Sequence, residues 1–155
     1  MARKKIIKSR LCSDYMYNNL TVARFINYVM QKGKKIKAQK IVYSVFDIIK
    51  NKLQKDPIEI FDKAIENARP LLKTKAKRIG GATYQVPIEV PETKGKSFAM
   101  KWIIFGAKSK KGKSMIDKLF EEIINASKNT GYAVKKKLET HKMAEANKAF
   151  SHFKW

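Results

Sequence analysis

Few residues of this 155-residue chain have the types and spacing that catalysis requires. The segment that comes closest runs from Gly106 to Ser114 and contains most of the residues typical of a phosphate-binding P-loop. That loop needs four residues between its glycines before the Lys-Ser pair, so that backbone N–H groups converge on phosphate. Five residues separate Gly106 from Gly112, and no acidic strand end follows to hold magnesium. We interpret the run as a basic, phosphate-gripping loop followed by Ser114 as a helix cap.

Metal and nucleophile chemistry has equally little support. His141 and His152 are the two histidines and Cys12 is the one cysteine, too few for a zinc site of three or four His/Cys ligands unless carboxylates contribute. A Cys12–His141 nucleophile pair is conceivable. The simpler interpretation makes Cys12 a small apolar anchor and places His141 on a helix face against the core or RNA. The carboxylates form no recognisable acid–base pair, and Glu121 and Glu122 are expected on the exposed side of their helix. We predict no catalytic residue, no metal and no cofactor.

The strongest signal is positive charge. The chain has 35 Lys and Arg against 13 Asp and Glu, a net charge of +22. Such an excess weakens a compact fold by self-repulsion, and a polyanion offsets this because phosphate contacts release condensed counterions. Solubility alone calls for a net charge of only about 2–8. Charge by itself would also allow a DNA-compacting protein. The loop from Gly106 to Ser114, which partly matches a P-loop, would allow an NTPase or an RNA-modifying enzyme.

The elements that must position these charges are mostly helical. Apolar residues recur with helical spacing over 22–30, 38–53 and 57–68, with Gly33 and Pro70 as stops. Residues 72–91 lose that period around Gly80-Gly81 and predict a β-hairpin about 25 Å long at roughly 3.3 Å per residue. Further helices are predicted over 97–107, 114–131 and 133–153, the last with a stripe through Val134, Leu138 and His141. The predicted fold is mainly α, about six helices with one protruding β-hairpin between the third and fourth. It comprises a basic arm (1–17) and a single domain (18–155).

Three aromatic residues, Tyr84, Trp102 and Trp155, are interleaved with basic segments and could stack on bases. Core packing is the alternative, and it is favoured for Trp102 because this residue lies on an apolar stripe. A lone cysteine excludes an internal disulfide. The N-terminus has no apolar core long enough for a signal peptide, and no apolar run is long enough for a membrane helix. We expect a soluble, intracellular protein without a membrane partner.

Several motifs resemble those of the seventh protein of the bacterial-type small ribosomal subunit, over nearly the whole chain. They are Phe25-Ile26-Asn27, Gly33-Lys34-Lys35, Ala64-Ile65-Glu66-Asn67, the hairpin segment 80–90 (GATYQVPIEV after Gly80) and the segment 140–150 (THKMAEANKAF). The chain departs from the family at 12–15, where a proline-rich start is Cys-Ser-Asp-Tyr. It departs again at 91–96, where an arginine-rich stretch is Pro-Glu-Thr-Lys-Gly-Lys.

This resemblance implies a non-enzymatic ribosomal protein that binds the 3′ major domain of small-subunit rRNA and starts assembly of the subunit's head. It implies a position near the exit site, where the hairpin approaches tRNA, beside neighbouring head and platform proteins. The ribosome would be in the cytoplasm of a bacterium or the equivalent compartment of an organelle. The implied rRNA-binding residues are Arg3, Lys4, Lys5, Arg10, Lys34, Lys35, Lys75, Lys77, Arg78, Lys108, Lys110, Lys111 and Lys113. The implied tRNA-proximal hairpin tip is Gly80, Gly81, Ala82, Thr83 and Tyr84.

Overall fold

The computed structural model describes residues 12–153, so Arg3, Lys4, Lys5, Arg10 and Trp155 lie outside the described residues. Within them the chain forms six α-helices, one two-stranded antiparallel sheet and a 3-10 helix. Their bounds are α1 Leu20–Val29, α2 Lys35–Leu53, α3 Pro57–Ala68, β1 Leu72–Ile79, β2 Ala82–Glu89, α4 Glu92–Ser109, α5 Met115–Ser127, α6 Gly131–Ala146 and the 3-10 helix Lys148–Phe153. The predicted fold class, mainly α with a hairpin between the third and fourth helices, is confirmed.

The chain divides into two compact units, Met1–Lys40 and Ile41–Trp155. In the first, α1 begins at Leu20 because the Asn19 side chain accepts a hydrogen bond from the Thr21 N–H at 2.7 Å. The apolar residues of α1 are buried with the predicted period. The helix ends at Val29, earlier than the predicted stop at Gly33. Gly33 instead has φ +71° and forms the turn before α2, where a left-handed conformation favours glycine.

Helix α3 has the predicted boundaries. The Asp56 carboxylate accepts from the Ile58 N–H at 2.9 Å, and Pro57 occupies the first helical position, where a missing N–H costs nothing. In the second unit the rings of Phe46 and Phe61 meet at 5.4 Å, at an angle of 58°, inside the core. The Asn67 side chain donates to the carbonyls of Ala126 (2.9 Å) and Ser127 (3.0 Å). These two hydrogen bonds join the end of α3 to the end of α5, where the last carbonyl groups have no further helical turn to bond to.

The hairpin has the predicted turn. Strands β1 and β2 pair in register from Leu72 opposite Glu89 to Ile79 opposite Ala82. Gly80 (φ +56°) and Gly81 (φ +88°) form the connection, as a two-residue turn with two positive φ angles requires. The 3-10 helix packs on β2 and so supports the hairpin from outside the sheet. There the rings of Tyr84 and Phe150 meet at 5.2 Å.

Four boundaries or faces differ from the sequence prediction. Helix α4 begins at Glu92 rather than at 97 and continues through Gly95, a poor helix former. A Cβ at Gly95 would lie 2.8 Å from the Arg69 Cγ, so the glycine permits α4 to pass close to the end of α3.

Gly131 does not end α5, which stops at Ser127; with φ +90° it begins α6. The last predicted helix, 133–153, is α-helical only as far as Ala146, and a 3-10 helix follows from Lys148. The prediction that Leu138 lies on the packing face of that helix is wrong, since it is 60% exposed. Ala133, Val134 and Ala144 form the buried positions instead.

His141 connects α6 to the start of the hairpin. Its Nε2 accepts a hydrogen bond from the Leu71 N–H at 2.9 Å, so the imidazole must be neutral with its proton on Nδ1. Burial lowers the pKa of His141 below its ordinary value, and the nearby Lys137 ammonium lowers it further. Protonation would therefore remove the acceptor that holds Leu71.

We expect this contact to weaken in mild acid. Because the pKa of His141 is depressed in the folded state, its contribution to stability is complete above the unfolded value of 6.5 and is lost as pH falls through the folded value. Melting temperatures of the wild type and His141→Gln between pH 7.5 and pH 5 test this, since glutamine can accept the hydrogen bond but does not titrate. The melting temperature of the wild type should fall further. Parallel curves for the two proteins would contradict the assignment.

Candidate nucleic-acid interface

The hairpin places basic side chains on both of its faces. Because successive residues of a strand point to opposite faces, Lys73, Lys75 and Lys77 lie on one face of β1 and Arg78 on the other. Lys75 and Arg78 are exposed and Lys77 is half-buried. The predicted trio Lys75, Lys77 and Arg78 is thus brought together along one strand but cannot contact a single flat surface.

Helix α4 carries a row of aromatic side chains that begins at the edge of its buried face and continues on its exposed side. Phe98, Trp102 and Phe105 follow one another at intervals of four and three residues, and Phe105 is 59% exposed. Phe98 and Trp102 stack at 5.9 Å, and Phe105 meets Tyr132 at 5.5 Å. The predicted core position of Trp102 therefore becomes a half-buried position at the edge of the packed face, beside buried Ala99 and Ile103.

A lysine of the hairpin joins this row. The Lys73 Nζ lies 5.3 Å from the centre of the Phe98 ring, at cation–π distance. We call Lys73, Phe98, Trp102, Phe105 and Tyr132 the basic–aromatic stripe. Aromatic faces next to cations suit a nucleic-acid strand, because bases stack on the rings and phosphates pair with the cations. The sequence prediction missed Phe98 and Phe105, although their spacing around Trp102 was visible.

The basic loop after α4 divides into two kinds of lysine. Lys108, in the last turn of α4, and Lys111 are exposed. The Lys110 Nζ lies 3.4 Å from Glu121 and 3.3 Å from Glu122. Lys113 also pairs with Glu121, and its hydrogen bond lowers the pKa of that carboxyl.

The expectation that Glu122 is exposed is wrong. Its side chain is 1% exposed, and its Oε1 accepts a hydrogen bond from the Ala133 N–H at 3.1 Å, in the first turn of α6. A Cβ at Gly106 would lie 3.0 Å from the Glu122 Cδ and 2.9 Å from the Tyr132 Cβ. Gly106 therefore makes room for this carboxylate. Since residues 106–109 are helical, their backbone does not form a P-loop cradle.

We expect the two kinds of loop lysine to respond differently to mutation. Lys108→Ala with Lys111→Ala should weaken rRNA binding about threefold to tenfold and lower the slope of log K against log salt by about one to two. Lys110→Ala with Lys113→Ala removes the same charge but should chiefly lower the melting temperature, because Glu121 and Glu122 lose their partners. Filter binding across salt and thermal unfolding of both variants test this. Equal losses of rRNA affinity in the two variants would refute the division.

The other predicted residues fall at the surface. Lys34 and Lys35 are exposed at the start of α2, and Gly80, Gly81, Ala82 and Thr83 are exposed at the hairpin tip. Tyr84 is half-buried against Phe150 rather than at the tip. The prediction that Cys12 is an apolar anchor is wrong, since it is exposed.

The segment 91–96, where the chain departs from the family, begins α4. There the Lys96 Nζ lies 2.7 Å from the Glu92 carboxylate, and this hydrogen bond lowers the pKa of Glu92. Lys94 is exposed. This segment therefore directs one of its two lysines to a neighbouring carboxylate.

Among residues 12–153, no group of three or more His, Cys, Asp and Glu side chains could hold a metal ion. None of the helices in this part of the chain combines the length and apolar character of a bilayer-spanning segment.

Comparison with known proteins agrees with these observations. The family model described as ribosomal protein S7p/S5e matches residues 1–148. Small ribosomal subunit protein uS7 of Thermotoga neapolitana and that of Thermotoga maritima are each 52% identical to this chain over 155 residues, covering 100% of both sequences. The uS7 protein of Moorella thermoacetica is 48% identical over 153 residues, which cover 99% of this chain and 98% of that protein.

Proposed function

The chain belongs to the ribosomal protein S7p/S5e family, and we propose that it binds the 3′ major domain of small-subunit rRNA and starts assembly of the subunit's head. Membership makes it a structural constituent of the small ribosomal subunit, with rRNA and neighbouring ribosomal proteins as its partners, and not an enzyme. The position within the subunit is the part that we propose: near the exit site, with the hairpin toward tRNA and with head and platform proteins as neighbours.

The basic–aromatic stripe is the observation that carries this proposal. It continues from the hairpin onto α4 through the contact between Lys73 and Phe98. Lysines supply affinity that does not depend on sequence, and the deep major groove of A-form RNA is unreadable to side chains, so selectivity must come from shape and from unpaired bases. A stripe that offers the Lys73 cation and aromatic faces can contact a helix backbone and stack an unpaired base at the same junction. The protein then acts as a clamp that holds rRNA helices together.

The hairpin tip supports the proposed approach to tRNA. Gly80, Gly81, Ala82 and Thr83 are exposed and small, so the backbone of the tip can come close to a second polymer. The exposed Arg78, next to this tip, can offer a forked donor to phosphate. The tip itself carries few side chains that could read a sequence, which suits a partner that changes with every round of translation.

Binding to the 3′ domain of small-subunit rRNA, in the presence of excess tRNA and duplex DNA and at several salt concentrations, tests the proposal. We expect binding that survives these competitors near physiological salt. Binding that collapses equally with every polyanion would overturn the proposed rRNA clamp and favour a general DNA-compacting cation. A parallel nucleotide-binding assay should be negative, because residues 106–109, which would begin a P-loop cradle, are helical.

A further inference from the structure

Tyr15 stands at the surface of the first unit with its side chain 99% exposed, and the following Met16 is 56% exposed. Burying an aromatic side chain stabilises a fold, so a tyrosine left wholly in water contributes almost nothing to this one. Isolated exposed apolar residues are ordinary on protein surfaces. What distinguishes Tyr15 is the turn that holds it.

That turn is fixed by a buried carboxylate. Asp14 is buried, and its Oδ2 accepts hydrogen bonds from the N–H groups of Met16 and Tyr17, both at 3.1 Å. The Ser13 hydroxyl donates to the Asn18 side chain at 2.7 Å, which closes the turn from its other side. Because the backbone on both sides of Tyr15 is held, a partner that binds this ring has little backbone freedom left to freeze.

A cavity of about 350 Å³ adjoins the turn that carries Tyr15. Its lining residues include Tyr15, Lys35 and two residues with amide side chains, Asn27 and Gln39. These are the groups that one nucleotide requires: an aromatic face for the base, amides that donate and accept for the base edge, and a cation for the phosphate.

The charge of this unit indicates which partner fits. Within residues 12–40, Asp14 is the one acidic residue, and its carboxylate is buried on backbone N–H groups. The basic residues of the same segment are Arg24, Lys32, Lys34, Lys35, Lys37 and Lys40. An anionic partner is therefore favoured, and a polyanion with flat aromatic faces is a nucleic acid.

We propose that the cavity beside Tyr15 holds one unpaired nucleotide of the rRNA, with the base stacked on Tyr15, its edge on Asn27 and Gln39, and its phosphate on Lys35. This inference rests on the proposed function, because it names a subsite of the same rRNA contact. It assigns a role to the segment 12–15, in which the chain departs from its family.

The test compares Tyr15→Ala, Tyr15→Phe and Tyr15→Trp in the full chain, bound to the 3′ domain of small-subunit rRNA at several salt concentrations. Tyr15→Ala should bind the rRNA about tenfold more weakly because it loses the stacked base. Tyr15→Phe and Tyr15→Trp keep an aromatic ring, so their affinities should remain within about twofold of the wild type. The salt slope of Tyr15→Ala should be unchanged because no phosphate contact is removed. Lys35→Ala, the matched contrast, should lower that slope by about one. Binding of the rRNA should also quench the fluorescence that Tyr15→Trp adds relative to Tyr15→Phe.

The outcomes separate this inference from the proposed function. If all Tyr15 variants bind the rRNA domain like the wild type while competitors fail to displace them, the stacking subsite is wrong and the clamp stands. If the wild type itself binds every polyanion alike, the clamp has failed. Equal losses in Tyr15→Phe and Tyr15→Ala would assign the effect to the hydroxyl and overturn stacking. A melting temperature of Tyr15→Ala equal to that of the wild type is the required folding control.

Discussion

Glu122→Ala is expected to lower the free energy of unfolding by about 3 kcal/mol, the cost of a lost buried acceptor and ion-pair partner. The carboxylate of Glu122 lies where three helices meet. It accepts from the Ala133 N–H at the start of α6 and lies 3.3 Å from the Lys110 Nζ, at the end of α4. Its removal leaves a buried N–H without an acceptor and a space that Gly106 cannot fill. Chemical denaturation followed by circular dichroism measures the change.

Glu121→Ala is the matched control for this prediction. It removes the same group from the adjacent position, but Glu121 is more exposed and pairs with lysines at the surface, where such pairs contribute little. Its effect should be a small fraction of that of Glu122→Ala. Glu122→Gln should fall between them, since it keeps an acceptor for Ala133 and loses the charge opposite Lys110. Equal destabilisation by the two alanine variants would show that burial does not set the effect.

The largest expected effect on binding comes from the hairpin. Replacing Lys75, Lys77 and Arg78 together with alanine should weaken binding to the rRNA 3′ domain at least about tenfold at physiological salt. It should also lower the slope of log K against log salt by about two to three, since we propose that each of these residues contacts a phosphate. Lys75 and Arg78 are exposed on opposite faces of β1, so the change removes contacts on both sides of the hairpin.

Lys50→Ala, Lys63→Ala and Lys128→Ala together provide the control. These three exposed lysines lie on α2, on α3 and at the end of α5, outside the proposed surface, and their removal changes the net charge by the same amount. If the control weakened binding as much as the hairpin variant, total charge rather than the hairpin would determine affinity. If the hairpin variant kept its affinity and salt slope, the hairpin would have no role in rRNA binding.

The elements that could be predicted from the sequence are those whose signals are local. Helix α3 is bounded by Asp56-Pro57 and Pro70, which act within one turn of the chain, and the hairpin turn is specified by Gly80-Gly81. Gly33 and Gly131 do mark breaks between helices, but each precedes the following helix and does not end the preceding one. A glycine with positive φ can follow one helix or precede the next, and only the packing of both helices decides between them.

Glu122 shows why the site was harder to predict. It lies three residues after Leu119 and four before Ala126, so its spacing already placed it on the buried face of α5. Residue type suggested exposure, because a lone carboxylate is costly to bury. Its partners, the Ala133 N–H and Lys110, belong to other helices, and no period along α5 reveals them. The basic–aromatic stripe has a similar origin: small Ala99 and Gly106 lie on the packed side of α4, whereas Phe98 is half-buried and Phe105 exposed.

The contact between Tyr84 and Phe150 has a consequence for the order in which the molecule matures. Strands β1 and β2 and their turn are close in sequence, whereas the 3-10 helix that packs on β2 is separated from it by three α-helices. During synthesis the hairpin therefore leaves the ribosome well before the segment that covers Tyr84. A newly made chain passes through a stage in which the two strands of the hairpin are paired but not yet supported by the 3-10 helix, and a two-stranded ribbon alone is marginal in water. The hairpin is therefore held rigidly only after the chain beyond α6 has been translated and has packed against β2.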